Sequence, residues 1–390
     1  MSLSILMFCP QFRPHIGGAE RQAERLAMEL SGLGHRVTIL TPRRDADSPE
    51  IEQLNGVTIE RFALTDLSRL FPLPGVAVLN IPYMLWQIAR AMQRRVKRAD
   101  IIHCHIASLE TGCAALAGRM GKVHVVCKAA TAAYRSDLGE IRKTGLTGRL
   151  VEWLVRASVQ TWVATTASVE EALVRAGIDA ARIVRIPNGI EVTNQTSAVW
   201  PPRAIRSFLY VGRVSRNTQR DFPTMIEAFD CIAAIYPDIQ LAVVGDGDLW
   251  EKTRKLAEGC AARDRILLPG FDQPEKWLSW ADCLILPSRQ EGMSNALLEA
   301  MAAGVPCIAN DIPSNREVLD NGNAGVLVPV EDRDALVAAM RDMAENGAKA
   351  RRMAQIARER AVRCYSIEAV ADRYVRLYQT LAPPHRVCPR

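Results

Sequence analysis

Two glutamates, Glu291 and Glu299, stand eight positions apart within residues 288–306, and the turn-forming sequence Gly-Met-Ser directly follows the first of them. A carboxylate can accept hydrogen bonds from the hydroxyl groups of a sugar. The same stretch predicts a loop that enters a helix, whose N-terminus offers unpaired N–H groups and a positive dipole end to a phosphate. Groups that hold sugar hydroxyls beside groups that hold a phosphate are typical of a nucleotide-sugar site.

The elements around these carboxylates follow from the local pattern. The apolar run Cys283–Leu286 predicts a buried strand, and Ser294 predicts the N-cap of a short helix that ends at Ala303. Glu291 is therefore predicted on the loop and Glu299 on the helix. Each also has an ordinary interpretation, since Glu299 could complement the helix dipole and Glu291 could be a solvated loop charge.

Length and composition indicate a globular enzyme with two domains. The chain has 390 residues, more than one hydrophobic core usually supports, with 48% hydrophobic and 24% charged residues. None of the ten cysteines forms a Cys-x-x-Cys pair, which argues against a zinc site or a disulfide framework. The N-terminal sequence has no basic leader and no cleavage pattern, so we expect a cytoplasmic protein.

The net charge of +6 comes from the first half of the chain. Residues 1–199 carry 24 Lys and Arg against 18 Asp and Glu, whereas the remaining residues carry 25 of each sign. A moderately positive face suits an anionic partner such as a phosphate or an acidic lipid surface. No basic tail and no patch of basic and aromatic residues indicates nucleic acid, so we expect no such partner.

Short apolar runs alternate with helical patterns along the chain, as in parallel α/β proteins. Strands are predicted at residues 3–8, 36–40, 57–62, 101–105, 124–128, 161–165, 183–186, 208–211, 240–244, 265–268, 283–286, 306–309 and 325–328. Residues 192–202 are rich in polar residues and proline and predict a linker. The pattern therefore predicts two successive doubly wound α/β units.

The pair Gly17 and Gly18 falls at the start of a helix predicted over residues 19–32. Glycine lets the backbone approach a ligand closely and leaves N–H groups for an anion. A plain turn between strand and helix is the alternative, because the pair is not the Gly-x-Gly-x-x-Gly pattern of dinucleotide sites.

The segment from Leu70 to Arg98 begins with twenty uncharged residues and ends with a basic run. The uncharged part contains several helix-breaking residues: Pro72, Pro74, Gly75, Asn80 and Pro82. They argue against a membrane-spanning helix and predict an apolar loop followed by an amphipathic basic helix over residues 83–97. Such a segment could rest on an anionic membrane surface, line an acceptor site or simply pack on its domain.

Five groups of short motifs follow one another along the chain. They are Gly17-Gly18-Ala19-Glu20, Ile186-Pro187-Asn188-Gly189-Ile190, Tyr210-Val211-Gly212-Arg213, Val244-Gly245-Asp246-Gly247, and Glu291-Gly292 with Glu299-Ala300-Met301 and Gly304-Val305-Pro306. In this order and at these separations the chain resembles glycosyltransferase family 4, retaining nucleotide-sugar glycosyltransferases of the GT-B fold. The resemblance covers residues 3–345 and is densest over 208–330.

The resemblance implies an α/β protein of the GT-B fold, with two facing Rossmann-like doubly wound domains and a cleft between them. Residues 1–195 would bind the acceptor, residues 203–364 would bind the nucleotide sugar, and a last helix at about 365–382 would return to the first domain. The implied reaction moves a sugar from a nucleotide-diphosphate sugar to a hydroxyl of a glycan or lipid-linked acceptor, in cell-surface polysaccharide or glycoconjugate synthesis. It retains the anomeric configuration and needs no protein nucleophile, metal or other cofactor.

The resemblance also implies roles for the residues of the second domain. Glu299 would accept hydrogen bonds from the ribose and Glu291 would face the donor sugar. The backbone at Gly292, Met293 and Ser294 would meet the diphosphate and the sugar.

The diphosphate itself would pair with Arg213, and Gly17 and Gly18 would close over it. The family usually carries a lysine five residues after this arginine, where this chain has Thr218. Arg220, or as second choice Arg216, would then supply the second cation. Arg213, Arg220 and Glu291 are the residues that we predict to be catalytic.

A second departure from the family lies after the strand at residues 124–128, where many relatives have a histidine and this chain reads Cys127-Lys128-Ala129-Ala130-Thr131. We take His105, Lys128 and Thr131 as candidates for contact with the acceptor or the donor sugar. His103 and His105 also have a structural interpretation as histidines at the end of a strand.

Two other functions stay open. One is an epimerase or phosphorylase of the same fold. The other is a nucleotide-sugar-binding protein without catalysis, which the missing histidine and the displaced lysine suggest. A nicotinamide dehydrogenase is disfavoured because Trp250 stands in place of the third glycine of the dinucleotide pattern.

Overall fold

The computed structural model describes residues 2–14, 17–65, 76–129, 146–192, 205–216 and 219–382. The chain divides into two compact units, of which the first comprises Met1–Gly189 with Ile367–Arg390 and the second Ile190–Ser366. Of the linker predicted at residues 192–202, only Val192 belongs to the described residues.

The described strands are predominantly parallel. The first unit holds β1 Ser4–Phe8, β2 Arg36–Arg43, β3 Ile51–Leu54, β4 Val57–Ala63, β5 Ile101–Cys104, β6 His124–Ala129, β7 Thr161–Ala164 and β8 Ile183–Arg185. The second unit holds β9 Ser207–Val211, β10 Gln240–Val244, β11 Ile266–Gly270, β12 Cys283–Leu286, β13 Cys307–Asn310 and β14 Val326–Val328. The runs predicted at residues 240–244 and 283–286 coincide with β10 and β12.

Helices alternate with these strands. Those of the first unit are α1 Gly18–Gly32, α2 Val76–Val96, α3 Leu109–Met120, α4 Leu146–Ser158 and α5 Ala167–Arg175. The second unit has α6 Phe222–Ala233, α7 Trp250–Glu258, α8 Pro274–Trp280, α9 Asn295–Ala303, α10 Pro313–Val318, α11 Arg333–Glu345 and α12 Gly347–Arg360. After a π-helical turn at Ala361–Tyr365, α13 Ile367–Leu381 belongs to the first unit again.

The strand order identifies the place in each sheet where the winding reverses. The first sheet runs β3-β4-β2-β1-β5-β6-β7-β8 and the second β11-β10-β9-β12-β13-β14 among the residues described. The reversal falls between β1 and β5 in the first sheet and between β9 and β12 in the second. Ligands of doubly wound sheets bind outside the carboxyl ends of the strands at this point, so the loops after these strands define where a site is expected.

The first sheet is covered on both faces, as the alternation along β1 shows. Ile5 and Met7 pack with α1 and α13 in one core, whereas Leu6 and Phe8 pack with α2 and α3 in the other. Burial on both faces explains why these strands read as continuous apolar runs.

One strand was not predicted. β3 and β4 form an antiparallel hairpin whose two-residue turn is Asn55-Gly56, with φ of 46° and 81°. Asn-Gly is the pair that a type I′ hairpin turn favours, because both of its residues need positive φ. The signal was therefore present, but β3 is largely exposed and lacks an apolar run.

The helix α2 corrects the prediction of an apolar loop ahead of a helix over residues 83–97. It begins at Val76 and includes Asn80 and Pro82. A proline inside a helix costs about 3 kcal/mol, whereas each large apolar side chain that becomes buried contributes roughly 1.5–3 kcal/mol. Ile88, Met92 and Val96 of the same helix are buried in the first core, which is sufficient to outweigh the proline.

The start of this segment, residues 70–75, lies outside the described residues. Within the part of the chain that the structure describes, no helix is both long enough and apolar enough to cross a membrane.

Candidate functional site

The loops after β9 and β12 are joined to each other at the switch point of the second sheet. Arg220 and Ser288 form an antiparallel bridge, the Asp221 N–H donates to the Pro287 carbonyl at 2.8 Å, and the Arg289 N–H donates to the Gln219 carbonyl at 2.9 Å. These backbone bonds fix Arg220 beside the loop that carries Glu291.

Arg220 and Glu291 form an ion pair at this junction. The side chain of Arg220 is 11% exposed and that of Glu291 is 20% exposed. Ser288 contributes to the pair, because its hydroxyl accepts from Arg220 Nη1 and donates to Glu291 Oε2 at 3.4 Å. The structure thus excludes the interpretation of Glu291 as a solvated loop charge.

The environment of Arg220 favours its charged form. Burial alone would lower the pKa of this guanidinium, but the negative charge of Glu291, together with hydrogen bonds to Glu291 and Tyr210, raises the pKa above its ordinary value. The Nε atom of Arg220 is buried and has no hydrogen-bond partner among the described residues. The guanidinium therefore keeps one donor that its own domain does not use.

Tyr210 connects this pair with Arg213. Its hydroxyl donates to the Arg213 carbonyl at 2.9 Å, and its ring packs edge-on against Phe222 at 5.0 Å between centroids. The side chain of Arg213 is exposed, so its backbone is anchored while its guanidinium reaches the surface.

Glycines explain how the turn at Arg213 is held. The Gly212 N–H donates to the Val244 carbonyl at 3.0 Å, so the turns after β9 and β10 lie backbone against backbone. A Cβ atom on Gly245, which has a φ of 138°, would lie 1.9 Å from the Gly212 carbonyl oxygen. Only glycine fits such a contact, and the motifs Val-Gly-Arg and Val-Gly-Asp-Gly therefore serve to pack these two turns.

The predicted helix behind the loop is present as α9. The Ser294 hydroxyl caps it by accepting from the Leu297 N–H at 3.4 Å, and it ends at Gly304 with a φ of 73°. Glu299 is half-buried and lies beyond the first turn of α9, where the dipole effect is weak. This position argues against the interpretation that Glu299 complements the helix dipole.

The residues ahead of α9 are enclosed. Gly292, Met293 and Ser294 are all buried, so only a small part of this backbone faces outward. Of the residues predicted for the site, the structure joins Arg220 directly to Glu291 and indirectly to the Arg213 backbone, while Glu299 follows on the next helix.

Sequence reasoning missed Ser288 and Tyr210. Both lie on or directly after the neighbouring strands β9 and β12, at the carboxyl ends where polar groups are expected to converge. An inference that β9 and β12 are neighbours would have identified both Tyr210 and Ser288.

In the first unit, Gly17 precedes α1 and Gly18 is its first residue. The Gly17 N–H donates to the Glu20 carboxylate at 2.8 Å, in the manner of a capping box. A carboxylate of the protein itself thus occupies the donor that the hypothesis gives to an anion.

The acceptor candidates His105 and Lys128 lie at the carboxyl ends of β5 and β6, and each is 3% exposed. Burial lowers the pKa of Lys128 to about 7. Burial, followed by the charges of His103 and Lys128, lowers the pKa of His105 well below its ordinary value. Thr131, the third candidate, lies outside the described residues.

Comparison with known proteins finds glycosyltransferase family models that match each half of the chain. The model of Glycosyltransferase Family 4 matches residues 16–194, and that of Glycosyl transferases group 1 matches residues 205–346. The chain is 28% identical to a phosphatidyl-myo-inositol mannosyltransferase of Mycobacterium leprae, with 97% of each chain covered. It is 27% identical to a glycogen synthase of Mycobacterium tuberculosis H37Rv, over 96% of this chain and 94% of that one.

Solved structures resemble the fold over nearly its whole length. Anabaena Alr3699/HepE in complex with UDP-glucose matches with a TM-score of 0.76 at 17% identity, covering 97% of this chain and 100% of that one. A point mutant of S. aureus TarM, in complex with fondaparinux, α-GlcNAc-glycerol and UDP, matches with a TM-score of 0.78 at 11% identity, covering 96% of this chain and 99% of that one.

Two parallel-sheet α/β units with these structural likenesses define the GT-B fold, as the family resemblance implied. The chain belongs to glycosyltransferase family 4, and it is a hexosyltransferase of class EC 2.4 that acts on nucleotide sugars.

Proposed function

We propose that the protein retains the anomeric configuration while it moves a sugar from a nucleotide-diphosphate sugar to a hydroxyl of a glycan or lipid-linked acceptor, in the synthesis of a cell-surface polysaccharide or glycoconjugate. The observation that carries the proposal is the Arg220–Glu291 pair at the switch point of the second sheet, with the unused donor at Arg220 Nε. A doubly wound sheet binds nucleotides at this place.

In the proposed reaction the acceptor hydroxyl attacks the anomeric carbon on the face from which the diphosphate departs. The bond from that carbon to the phosphate oxygen breaks, the bond to the acceptor oxygen forms, and the departing phosphate oxygen takes the hydroxyl proton. Negative charge grows on the diphosphate as it leaves. Arg220 and Arg213 would stabilise that charge, because arginine presents a planar set of donors to phosphate oxygens.

The remaining groups would bind the donor. Glu291 would accept hydrogen bonds from the sugar while it stays paired with Arg220, and Glu299 would accept from the ribose hydroxyls. The backbone of Gly292, Met293 and Ser294 would meet the diphosphate and the sugar. Gly17 and Gly18 are proposed as a further phosphate contact, in which the phosphate would replace the Glu20 carboxylate at the Gly17 N–H.

The two candidates for the second cation differ in exposure and in how firmly they are held. Arg216 is 80% exposed and lies 3.7 Å from Asp248, whereas Arg220 is almost enclosed and held by three side chains. A cation that is fixed before the reaction begins needs little reorganisation when charge develops. We therefore assign the role to Arg220.

The acceptor half of the proposal involves His105, Lys128 and Thr131. Because His105 and Lys128 are buried, we propose that they shape and polarise the acceptor site from beneath its surface. The mechanism requires no metal ion or other cofactor, and turnover should therefore persist in EDTA.

A panel of donors tests the proposal, starting with UDP-glucose, UDP-N-acetylglucosamine and GDP-mannose. The structural relatives hold UDP or UDP-glucose, and the sequence relatives are named for the transfer of mannose or N-acetylglucosamine. We expect calorimetry to detect one of these donors and NMR to show slow release of its sugar. Donor binding without turnover, whichever acceptor is added, would indicate a nucleotide-sugar-binding protein without catalysis. An epimeric product would indicate an epimerase, and turnover that requires phosphate would indicate a phosphorylase.

We also propose that the protein is cytoplasmic and rests on the inner, anionic face of the membrane through α2 and its neighbours. Tyr83 and Trp86 stack at 5.8 Å between ring centroids, and Trp86 is 52% exposed. The Arg90 guanidinium lies 5.3 Å from the Trp86 ring, and Arg94 and Arg98 are exposed beyond it. Aromatic rings among basic side chains suit the interface of an anionic bilayer.

Neighbouring helices carry further exposed apolar side chains. Met120 at the end of α3 and Trp153 on α4 are 68% and 63% exposed, and α3 packs between α2 and α4. A cavity of about 260 Å³ at the end of α2 is lined by Arg94, Arg95 and Arg98, with Glu60 paired to Arg95. The cavity would admit a lipid phosphate.

Co-sedimentation with phosphatidylglycerol vesicles at low salt tests the membrane proposal. Reversing the charges of Arg94 and Arg98 to Glu should weaken binding more than tenfold, at roughly 1 kcal/mol for each basic residue near the surface. Reversing Arg351 and Arg352 on α12 is the matched control and should have little effect. Equal losses in the two variants, or no binding by the native protein, would contradict a specific membrane face.

A further inference from the structure

Five polar side chains are buried together between α13 and the sheet of the first unit. They are His103, His105, Lys128, Tyr374 and Tyr378, and none is more than 3% exposed. Cys104 pairs with Cys127 in the register of β5 and β6, which brings Lys128 into line with His105. Because side chains alternate along a strand, His103, His105 and Lys128 share the face that α13 covers.

Most polar atoms of this buried cluster lack partners. The Tyr378 hydroxyl and His103 Nδ1 are 2.6 Å apart, which is the hydrogen bond of the group. His103 Nε2, both ring nitrogens of His105 and the Tyr374 hydroxyl have no partner within the described ranges. Each buried polar group without a partner destabilises the folded protein by about 1–3 kcal/mol, so this cluster lowers the stability of the fold.

The hydrogen bond between Tyr378 and His103 determines which tautomer His103 adopts. Burial raises the pKa of Tyr378 well above its ordinary value, so the phenol keeps its proton. If the phenol oxygen only accepted from Nδ1, that phenolic proton would be buried without an acceptor. Either direction leaves one buried hydrogen without an acceptor, because His103 Nε2 also has no partner among the described residues. Donation from Tyr378 to Nδ1 is the stronger of the two bonds, because the phenol is the better acid and the imidazole nitrogen the better base, and it leaves the ring proton of neutral His103 on Nε2.

The neighbouring groups depend on the orientation of His103. Its ring lies 4.1 Å from the ring of His105 between centroids, with 33° between their planes. Burial lowers the pKa of His103 to about 3, and the charge of Lys128 contributes to this shift. Both imidazoles are therefore neutral at neutral pH, and the position of each proton decides which nitrogen offers a lone pair to its surroundings.

We propose that Tyr378 is a positioning residue, which fixes His103 as the Nε2–H tautomer and, through the packed His103–His105 pair, orients the groups at the carboxyl ends of β5 and β6. Its functional consequence rests on the proposed acceptor site, to which His105 and Lys128 belong. The last helix of the chain thereby takes part in preparing that site, although Tyr378 touches no substrate itself.

The two tyrosines of α13 provide a matched pair of variants. Tyr378→Phe removes the hydroxyl that bonds to His103, whereas Tyr374→Phe removes a hydroxyl without a partner one turn away in the same helix, among the residues described. Both changes keep the aromatic ring in a fully buried position. A difference between them therefore reports the hydrogen bond rather than the packing.

The first measurement is nitrogen NMR of the full-length protein labelled with ¹⁵N-histidine, with His103→Asn to assign the signals among six histidines. We expect Nε2–H for His103 in the native protein and in Tyr374→Phe, and a mixture of tautomers in Tyr378→Phe. An Nδ1–H tautomer in the native protein overturns the proposal, and this result needs neither a variant nor a known substrate.

The second measurement is turnover of the donor that the panel identifies. Tyr378→Phe should lower kcat about tenfold with little change in the donor KM, which is the scale of one buried hydrogen bond, and Tyr374→Phe should stay near the native value. Without the bond His103 accepts a proton more readily, so the acid limb of the pH profile should move to higher pH.

Equal turnover and unchanged pH profiles in both variants would reject the positioning role even if the tautomer is as expected. A native protein that turns over no donor would instead reject the proposed function, while the NMR result stands on its own. Should Tyr378→Phe fail to fold, the native NMR spectrum still decides the tautomer.

Discussion

Each unit carries a buried polar site beside the point where the winding of its sheet reverses. The two sites differ in whether their buried groups are charged. In the second unit Arg220 and Glu291 are both charged, and each compensates the other. In the first unit burial lowers the pKa values of His103 and Lys128, to about 3 and about 7, so the imidazole is uncharged at neutral pH and the lysine is poised between its two forms. Burial beside an opposite charge keeps a group charged, whereas burial that is not offset by such a charge favours the neutral form.

This difference matches the tasks that we propose for the units. A leaving diphosphate requires fixed positive charge, which the second unit holds ready in Arg220. An acceptor hydroxyl is neutral and is bound better by neutral donors and lone pairs. The charged site should therefore respond to loss of charge, and the neutral site to changes in protonation.

Loss of the Arg220 charge should have the largest effect on catalysis. Arg220→Gln should reduce kcat by about 10²–10³, as expected when one preorganised donor to a developing charge is removed. Arg216→Gln is the control, because Arg216 is exposed and carries the same charge four residues earlier. Steady-state turnover of the identified donor measures both. A larger loss in Arg216→Gln would reverse the assignment of the second cation.

The stability of the turns beside the charged site should depend strongly on one glycine, at which there is no room for a side chain. Gly245→Ala should destabilise the protein by about 3 kcal/mol or more, because the Cβ would strike the Gly212 carbonyl and the backbone would be strained. Gly270→Ala, where φ is 79° and no atom lies within 4 Å of the added Cβ, should cost only about 1 kcal/mol. Urea unfolding followed by tryptophan fluorescence measures both. Equal costs would show that the contact between the turns is readily relaxed.

The buried site of the first unit should make the free energy of unfolding depend on pH. The pKa of Lys128 is about 7 in the folded protein and about 10.4 when the chain is unfolded, so unfolding takes up a proton between these values. The contribution of Lys128 to the free energy of unfolding therefore rises with pH across this window, by up to about 1.4 kcal/mol per pH unit, and is lost as pH falls towards 7.

Lys128→Met removes this dependence. The variant should be more stable than the native protein near pH 7, and the difference should shrink at pH 9. Urea unfolding at the two pH values measures the difference, in which the titration of cysteines common to both proteins cancels. A difference that does not change with pH would mean that Lys128 remains charged and has found a partner.

The smallest expected effect concerns the helix behind the charged site. Ser294→Ala removes the N-cap of α9 and should lower the free energy of unfolding by about 1 kcal/mol. Ser279→Ala, whose hydroxyl bonds an exposed carbonyl within α8, serves as the control and should change it by less than about 0.5 kcal/mol. If Ser294→Ala weakens donor binding without loss of stability, the hydroxyl contacts the donor instead of serving only as a cap.

The fold could be predicted largely because its signals are local. Strands β10 and β12 are continuous apolar runs that are buried on both faces, and the cap at Ser294 is visible in the sequence around it. The start of α2 could not be predicted, because the burial of its later turns overrides the local effect of Pro82.

The contacts within the candidate sites could not be predicted either, because they join distant parts of the chain. Arg220 meets Ser288 across 68 positions, and Tyr378 meets His103 across 275. The family resemblance supplied roles for Arg220 and Glu291, but their ion pair depends on β9 and β12 being neighbours. Nothing in the local sequence around Tyr378 indicates its bond to a histidine of β5.

The central claim, that Arg220 holds the diphosphate of the donor, is tested most directly by calorimetry with nucleoside diphosphate and monophosphate of the same base. The native protein should bind UDP or GDP at least tenfold more tightly than the matching monophosphate, and Arg220→Gln should lose most of that preference while it still binds the monophosphate. An equal preference in Arg220→Gln, or no preference in the native protein, would contradict the account.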